Sequence, residues 1–475
     1  MCRFPGLWAR LSKLSLRRSE RKVLLVSVDL ALVIGAILLS LRLGALRSGW
    51  AFTPRFLLTH VYWFPFLAGL WFLLASVNDL YHLKALANLP SAILTNGQIA
   101  AQVLLIYIVV YFLSPPQSLP RHIMIFFTLI SFPLVSGWRV LATGLLRSLL
   151  FRRRALILGA GAAGETILQA IQETLAGHYE LIGFIDDSSQ LGEVAGSLPM
   201  IGRQEDLLSV VGSRGVSEVI LSPGRELDEG IFQAIMECQA RGVQITPMPL
   251  LYEELTGRVP VDQVGGYWGL ALPFDHAGTG GLFPLAKRGL DITLASAGLV
   301  LFALLFPFIA LALYLDSPGP IFYLQERVGQ GGSAFRLIKL RTMIPNAESR
   351  GEALWAELGD PRVTRVGWFL RRTHLDEMPQ LINVLQGEMS VVGPRPERPE
   401  FVAQLERKVP FYHLRHAVRP GMAGWALIKQ GYASSVMDAQ VKLEYDLYYI
   451  KHQSLSLDLL ILFRSLGAIL LLQGR

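Results

Sequence analysis

A chain of 475 residues has room for two or three domains. Hydrophobic residues make up 52% of it and the mean hydropathy is +0.41, which excludes an ordinary soluble enzyme and fits an integral membrane protein. The net charge of +7 comes from basic residues that flank apolar segments, so it points to an anionic membrane surface and not to nucleic acid.

Residues 1–21 form a basic tail with Arg3, Arg10, Lys13, Arg17, Arg18 and Arg21 against one acid, Glu20, and are expected to stay cytoplasmic. Residues 22–150 hold four apolar runs near spanning length: Val23–Leu41, Leu57–Val77, Ile99–Leu113 and Ile123–Leu145. The third stops at Pro115–Pro116 and reads as short. Arg139 stands toward the cytoplasmic end of the fourth, close enough to snorkel, while Asp29 inside the first is given no role. The first run is long and lacks a small-residue cleavage site, so no cleavable signal is expected. Four crossings return the chain to the cytoplasm at Arg147–Arg154, where an arginine triplet obeys the positive-inside rule. A four-helix bundle buried in a soluble protein would not explain that charge asymmetry. Two cysteines, Cys2 and Cys238, make no disulfide framework and suit a reducing compartment.

Residues 151–250 alternate short β-rich runs with amphipathic helices, the pattern of a parallel α/β sheet. The strand ALIL (155–158) leads into Gly159, Gly161 and Gly164, spaced G-x-G-x-x-G, and a helix follows. Asp186 ends the second strand, where a Rossmann fold holds a ribose hydroxyl. Two readings stay open: a nucleotide-like site, or glycines kept only for a tight turn. No adjoining tyrosine–lysine pair or hydride-acceptor pocket is evident, so a regulatory or structural module is expected.

Residues 251–285 read as a connector, and 286–475 as a further domain that begins with an apolar helix, 288–316. A straight fifth crossing would carry everything downstream out of the cytoplasm. Pro307 near its middle suggests instead a helix that enters, breaks and returns on the same face. In F-R-L-I-K-L-R, Lys339 and Arg341 are two apart, so on a strand they share a face and can clamp phosphate; a solvated edge strand is the plainer reading. Residues 419–430 and Leu455–Leu472 look like further membrane-surface contacts. His374, His413 and His416 read as ordinary surface or packing residues.

The densest chemistry lies in RRTHLDEMPQLINVLQGEMSVVGPRP, 371–396. Asp376 and Glu377 stand between Arg371 and Arg372 on one side and Arg395 on the other. Arginines clamp phosphate, and a carboxylate can attack phosphorus or hold Mg²⁺. Asp376, three residues before Pro379, also fits a helix N-cap with Glu377 complementing the helix dipole. Adjacent helical residues point about 100° apart, so the two acids cannot do the same job.

Residues 287–475 resemble the bacterial sugar transferases, the monotopic phosphoglycosyl transferases. The match is carried by KRGLD (287–291), DSPGPIF (316–322), QERVG (325–329), KLRTM (339–343), LDEMPQL (375–381), MSVVGPRP (389–396) and RPGMAG (419–424). The whole-chain layout is similar to that of the large members, which begin capsule, exopolysaccharide or O-antigen assembly. The implied fold is membrane α plus α/β: a four-helix transmembrane bundle, a Rossmann-like parallel module, and a C-terminal α+β catalytic domain with a re-entrant helix. The implied reaction moves a sugar 1-phosphate from a UDP-sugar, with UDP-glucose or UDP-galactose leading, to undecaprenyl phosphate, releasing UMP at the cytoplasmic face of the inner membrane.

In the family's pattern the attacking aspartate falls on Asp376, the Mg²⁺-binding glutamate on Glu377, and phosphate-binding arginines on Arg371 and Arg395. Lys339 fills the motif's lysine position. The helix break carries Phe306–Pro307 where the family has serine–proline. The acceptor phosphate, with a second pKa of about 6, needs no general base, which leaves the carboxylate free to act as nucleophile. A membrane-anchored nucleotide-sugar dehydratase or epimerase would need a second dinucleotide fold after residue 250, and a non-catalytic scaffold would not need the acid pair. A homodimer is left open.

Overall fold

The computed structural model describes residues 18–78, 80–81, 89–113, 121–147, 153–175, 179–187, 194–195, 198–222, 229–261, 281–344, 360–430 and 435–470. The expected basic tail before Arg18, Pro115–Pro116 and most of the connector lie outside these residues. The chain divides into two compact units, Met1–Leu251 and Tyr252–Arg475.

In the first unit, α1 (Arg18–Ser48), α2 (Pro54–Thr59), α3 (Trp63–Val77), α4 (Leu89–Leu113) and α5 (Arg121–Arg147) bring together a core of Val33, Ile37, Leu67, Trp71, Ile99 and Phe127. Outward-facing leucines such as Leu46, Leu105 and Leu129 are more than half exposed, as a lipid-facing surface requires. The expected short run is misplaced. The third run becomes a 25-residue helix, whereas the second yields only the 15 residues of α3, about 22 Å long against a hydrocarbon core of about 30 Å. Thr53 caps a separate short helix, α2, ahead of it, accepting from the Phe56 N–H.

Arg139 does not snorkel. It is fully buried on α5 and ion-paired with Asp29 on α1, with its guanidinium 5.3 Å from the Tyr81 ring centroid. Two charges that are costly to bury singly thus tie together two helices distant in sequence.

The sheet of the first unit contains β1 (Arg153–Leu158), β2 (Tyr179–Ile185), β3 (Val194–Ala195), β4 (Leu198–Gly202), β5 (Glu218–Leu221) and β6 (Gln244–Pro247), with α6 (Ala162–Leu175), α7 (Leu207–Arg214) and α8 (Glu229–Ala240) between them. The strand order is β3-β4-β2-β1-β5-β6, parallel except for the β3–β4 pair. Two arginines of the basic triplet belong to this sheet. Arg153 is buried against Glu218 at 2.8 Å, and Arg154 pairs with Glu180 at 3.2 Å. Tyr179 and Thr246 hydroxyls also donate to the Glu218 carboxylate, so that buried charge is satisfied from several sides.

The second unit takes in the end of α9 (Met248–Thr256), and Val259 and Val261 join its core rather than a free connector. A single helix, α10 (Phe283–Asp316), runs through Pro307. It is followed by the antiparallel hairpin β7 (Phe322–Val328) and β8 (Ala334–Leu340), then α11 (Arg365–Thr373), α12 (Gln380–Gln386), β9 (Ser390–Val392) and α13 (Pro399–Lys408). β10 (Gly421–Ala423) pairs in parallel with β9, and α14 (Trp425–Lys429), α15 (Val436–Lys451) and α16 (Leu455–Leu470) complete the fold. Residues 419–430 are therefore interior, not membrane surface: Trp425 and Ala426 are buried, and the Trp425 indole donates to the Gly257 carbonyl at 3.0 Å. Among the described residues, four helical segments are long and apolar enough to cross a membrane: Val23–Ser48, Leu89–Ile108, Ile123–Gly144 and Phe283–Asp316.

Removing one member of the Asp29–Arg139 pair strands the other charge. Asp29→Leu is expected to cost about 3–5 kcal/mol. The double variant Asp29→Leu/Arg139→Met should recover most of that, read as thermal unfolding of the full chain in lipid nanodiscs.

Candidate active site

The site is assembled from β8, the end of α11, the turn that follows it, and the segment after β9. On β8, Phe335 and Leu337 pack against Leu381 and Val384 of α12. Lys339, two residues on, shares that face and reaches the turn that precedes α12. Asn383 fixes the hairpin to α12: it accepts from the Ile338 N–H at 3.2 Å and donates to the Arg336 carbonyl at 2.8 Å.

α11 is seated by its first turn. The Thr364 hydroxyl accepts from Gly367 N–H at 3.0 Å, and the Asp316 carboxylate at the end of α10 accepts from Val366 N–H at 2.9 Å. Gly367 lies so close to the Thr342 backbone that a Cβ there would stand 2.1 Å from its carbonyl oxygen. In the last turn, Arg371 donates to the Thr342 hydroxyl at 2.8 Å. His374 ends the helix at φ 56°, and this left-handed residue swings the chain into a 3-10 turn, Leu375–Glu377.

Asp376 is therefore not an N-cap. Pro379 occupies that position of α12, and the two acids sit one turn earlier, each 8% exposed. In a 3-10 turn adjacent side chains diverge by about 120°, somewhat more than in an α-helix. The consequence is a sharp division of roles. The Glu377 carboxylate accepts from Lys339 Nζ at 3.3 Å, from Arg395 Nη1 at 3.2 Å, and from Arg395 Nη2. The Asp376 carboxylate has no hydrogen-bond partner among the described residues.

Electrostatics follow the same split. Burial pushes Asp376 up, neighbouring Glu377 adds to that, and Lys339, Arg371 and Arg395 offset it only in part, leaving the carboxyl at about 6. Burial also pushes Glu377 up, but Arg395 and Lys339 overcome this and hold it well below the usual carboxylate range. Lys339 is itself pushed down by burial and by Arg395.

Lys339, Arg371 and Arg395 thus surround the acid pair, but Arg341 does not join them. Its guanidinium donates to the Pro320 carbonyl at 2.6 Å, to the Ser317 hydroxyl at 3.0 Å and to the Ser317 carbonyl. It closes the turn after α10. The strand stops at Leu340, so the two-residue alternation that linked Arg341 to Lys339 ends one position too soon. Arg372 stacks over Trp368, 5.1 Å from its ring centroid. No cluster of three or more His, Cys, Asp or Glu that could hold a metal occurs among the described residues.

Several residues of the quoted motifs, given no role from the sequence, hold the site in place. From α10, Arg288 donates to the Val384 and Leu385 carbonyls at the end of α12, at 2.6 and 2.8 Å. Lys287 donates to the Val392 carbonyl at 3.0 Å and pairs with buried Asp458 at 2.8 Å. Asp291 accepts from the Ser390 hydroxyl at 2.9 Å and the Val391 N–H at 3.0 Å. The KRGLD motif is thus a set of anchors for α12 and β9.

In the α/β unit, Gly159 has φ 104° and Gly164 has no room for a Cβ, which would lie 2.2 Å from the Gly159 carbonyl oxygen. The glycines permit a tight strand-to-helix turn. Asp186 does not point away from it: one carboxylate oxygen accepts from the Ala160 N–H at 2.7 Å, a donor otherwise available to an anion. Gly161 has open space beside it.

Residues 283–471 match the family described as bacterial sugar transferase, and residues 76–249 match the family described as CoA-binding domain. The chain is 43% identical over 237 residues to an Aeromonas hydrophila protein named UDP-N-acetylgalactosamine-undecaprenyl-phosphate N-acetylgalactosaminephosphotransferase, covering 50% of this chain and 54% of that one. It is 43% identical over 185 residues to a UDP-glucose:undecaprenyl-phosphate glucose-1-phosphate transferase of Escherichia coli (strain K12), covering 38% and 40%. It is 40% identical over 182 residues to the exopolysaccharide production protein PSS of Rhizobium leguminosarum bv. phaseoli, covering 37% of this chain and 91% of that one. The chain thus spans about half the length of the first two relatives but nearly all of the third. On these matches the chain belongs to the bacterial sugar transferase family.

Proposed function

We propose that the chain transfers a sugar 1-phosphate from a UDP-sugar to undecaprenyl phosphate at a membrane surface. The observation that carries this reading is the division of roles between two adjacent buried carboxylates, one bonded to two cations and the other unbonded beside them. An Asp376 oxygen attacks the phosphorus that bears the sugar, and the bond to the UMP phosphate breaks. UMP leaves, and an acyl phosphate carrying the sugar stays on Asp376. An oxygen of undecaprenyl phosphate then attacks the same phosphorus, and Asp376 departs as a carboxylate.

Lys339, Arg371 and Arg395 would stabilise charge on the transferring phosphoryl group. Glu377 keeps Lys339 and Arg395 in place between turnovers. Three donors leave its carboxylate one acceptor site, and Mg²⁺ needs only one or two carboxylates besides substrate phosphates, so Glu377 fits as its protein ligand. The bound ion would neutralise the diphosphate. The relatives are named for glucose and for N-acetylgalactosamine, so the donor set to test is UDP-glucose, UDP-galactose and UDP-N-acetylgalactosamine.

We also propose that α10 is re-entrant. What supports this is that both of its ends bind the same folded unit: Lys287, Arg288 and Asp291 hold α12 and β9, while Leu313 packs with Leu340 and Leu370, and Asp316 caps α11. Its other face carries Val300, Leu304, Phe308 and Leu315, each more than 60% exposed. Pro307 cannot donate to the Ala303 carbonyl, the natural place for a bend. Re-entry keeps the active site on one face of the membrane, and the parallel sheet with its glycine turn, read as Rossmann-like, would share that face. Among the described residues the parallel pairing after residue 250 is confined to the two short strands β9 and β10, too little for a second dinucleotide-binding sheet, which disfavours a dehydratase or epimerase.

Two measurements test the reaction. Asp376→Asn should abolish both UMP release and the radiolabelled protein adduct while the thermal melt stays close to wild type; full turnover by that variant would remove Asp376 from the chemistry. Because Asp376 must be ionised to attack, kcat/KM should fall as pH drops through about 6, roughly tenfold per unit below it. A profile flat down to pH 5 would contradict the assignment.

A further inference from the structure

The Arg395 side chain can clamp Glu377 only if its backbone stays fixed, and the sequence around it makes that difficult. In Gly393-Pro394-Arg395-Pro396 two prolines remove two N–H donors, so the segment must be held largely through its carbonyls. Each has a donor. Gly421 N–H reaches the Pro394 carbonyl at 2.8 Å, Arg415 Nη2 the Arg395 carbonyl at 3.0 Å, and Arg327 Nη1 the Pro396 carbonyl at 3.1 Å.

Of these donors, Arg415 is the most constrained. It is 3% exposed in a 3-10 turn, Tyr412–Ala417, at the edge of a small cleft that Arg395 also lines. Its Nε and Nη2 both reach Asp446 Oδ2, at 3.2 and 2.8 Å, and its Nη1 donates to the Tyr412 hydroxyl at 2.7 Å. Asp446, on α15, is 1% exposed. A buried ion pair of this kind is a poor source of net stability, since apolar residues of similar size often serve as well. What it provides here is direction: a planar guanidinium held along its Nε–Nη2 edge by Asp446 and at Nη1 by Tyr412 presents the second Nη2 N–H to a single carbonyl.

We infer that Arg415, held by Asp446, is a positioning residue that fixes the Arg395 backbone and thereby the cationic clamp on Glu377 beside Asp376. The inference rests on the transfer reaction proposed above. It predicts a defect in the chemical step more than in donor binding, because the Arg415 guanidinium is bonded to Asp446, the Tyr412 hydroxyl and the Arg395 carbonyl.

The test uses the full chain in nanodiscs, with the active UDP-sugar and undecaprenyl phosphate, and reports kcat per folded molecule. Arg415→Met should lower kcat by about 10²-fold, as expected for a displaced catalytic constellation. The donor KM should change by less than about threefold, and formation of the Asp376 adduct in a single turnover should slow in parallel. Arg415→Met strands Asp446 and could unfold the domain, so Arg415→Met/Asp446→Leu, which leaves no unpaired charge, is measured beside it and should show the same kcat loss. Arg415→Lys keeps the charge next to Asp446 and should fall between wild type and Arg415→Met; it decides the matter if the other two unfold. Variants with lower thermal stability but wild-type kcat per folded molecule overturn the inference, as does a raised KM with unchanged kcat. Wild type and Asp376→Asn run alongside: a wild type that releases no UMP removes the reaction itself, whereas Arg415 variants that match an active wild type remove only the positioning role.

Discussion

The catalytic unit depends on a contest for cations between two neighbouring carboxylates. Burial disfavours ionising either acid, and the cations nearby cannot neutralise both equally. Arg395 and Lys339 bond to Glu377, which stays charged, and Asp376 is left as the weaker acid of the pair. The 3-10 turn separates them by pointing the two side chains in different directions. A single proline at the next helix's N-cap and a left-handed histidine before the turn set that geometry. An otherwise symmetric pair acquires distinct chemistry through local backbone shape.

The apolar helix α10 supports this arrangement from outside the site. Its first turns supply Lys287, Arg288 and Asp291, whose polar atoms bind the backbone of α12 and β9. β9 runs directly into the Gly393–Pro396 segment that carries Arg395. Arginine and lysine at the foot of an apolar helix are usually read as headgroup contacts. Here they are committed to carbonyl oxygens inside the protein, so the helix acts as a strut for the catalytic segment as well as an apolar surface. Asp316 at the far end of the same helix caps α11, which carries Arg371. Both sides of the site are therefore fixed to one element.

The sequence made the elements with strong local signatures legible. The glycine turn, the alternation of strands and helices in residues 151–250, and the acid pair flanked by arginines could all be read from spacing. What could not be read was where each long cation ends. Lys339 and Arg341 differ by two positions, yet one faces Glu377 and the other turns back to Ser317 because the strand stops between them. Arg139 looked free to reach the headgroups, but its partner, Asp29, lies on a helix more than a hundred positions away. The segment 419–430 carried the tryptophan and lysine of an interfacial helix. Its lysine lies 4.7 Å from the Trp425 ring centroid, and its strand completes a buried parallel pair. Arg415 gave no signal, since a buried arginine on a carbonyl has no characteristic spacing. Tertiary partnerships of this kind are set by fold closure, which local pattern does not encode.

Asp376 stands apart in one further respect. Among the described residues of this unit, the other buried carboxylates each have a hydrogen-bonded or ion-paired partner: Glu253 has Lys451, Asp291 has Ser390 and the Val391 amide, Glu377 has Arg395, Glu444 has Arg258, Asp446 has Arg415 and Asp458 has Lys287. A mostly buried acid without a protein hydrogen bond gives up the stabilisation that a donor would supply, while its oxygens keep access to water or a ligand. The fold has nearby donors to spend and spends them on the adjacent residue. An unbonded, poorly solvated carboxylate is also the better nucleophile, since no donor has to be removed before it attacks. The one local rule that the domain breaks thus falls on the residue to which the proposed covalent mechanism assigns the attack.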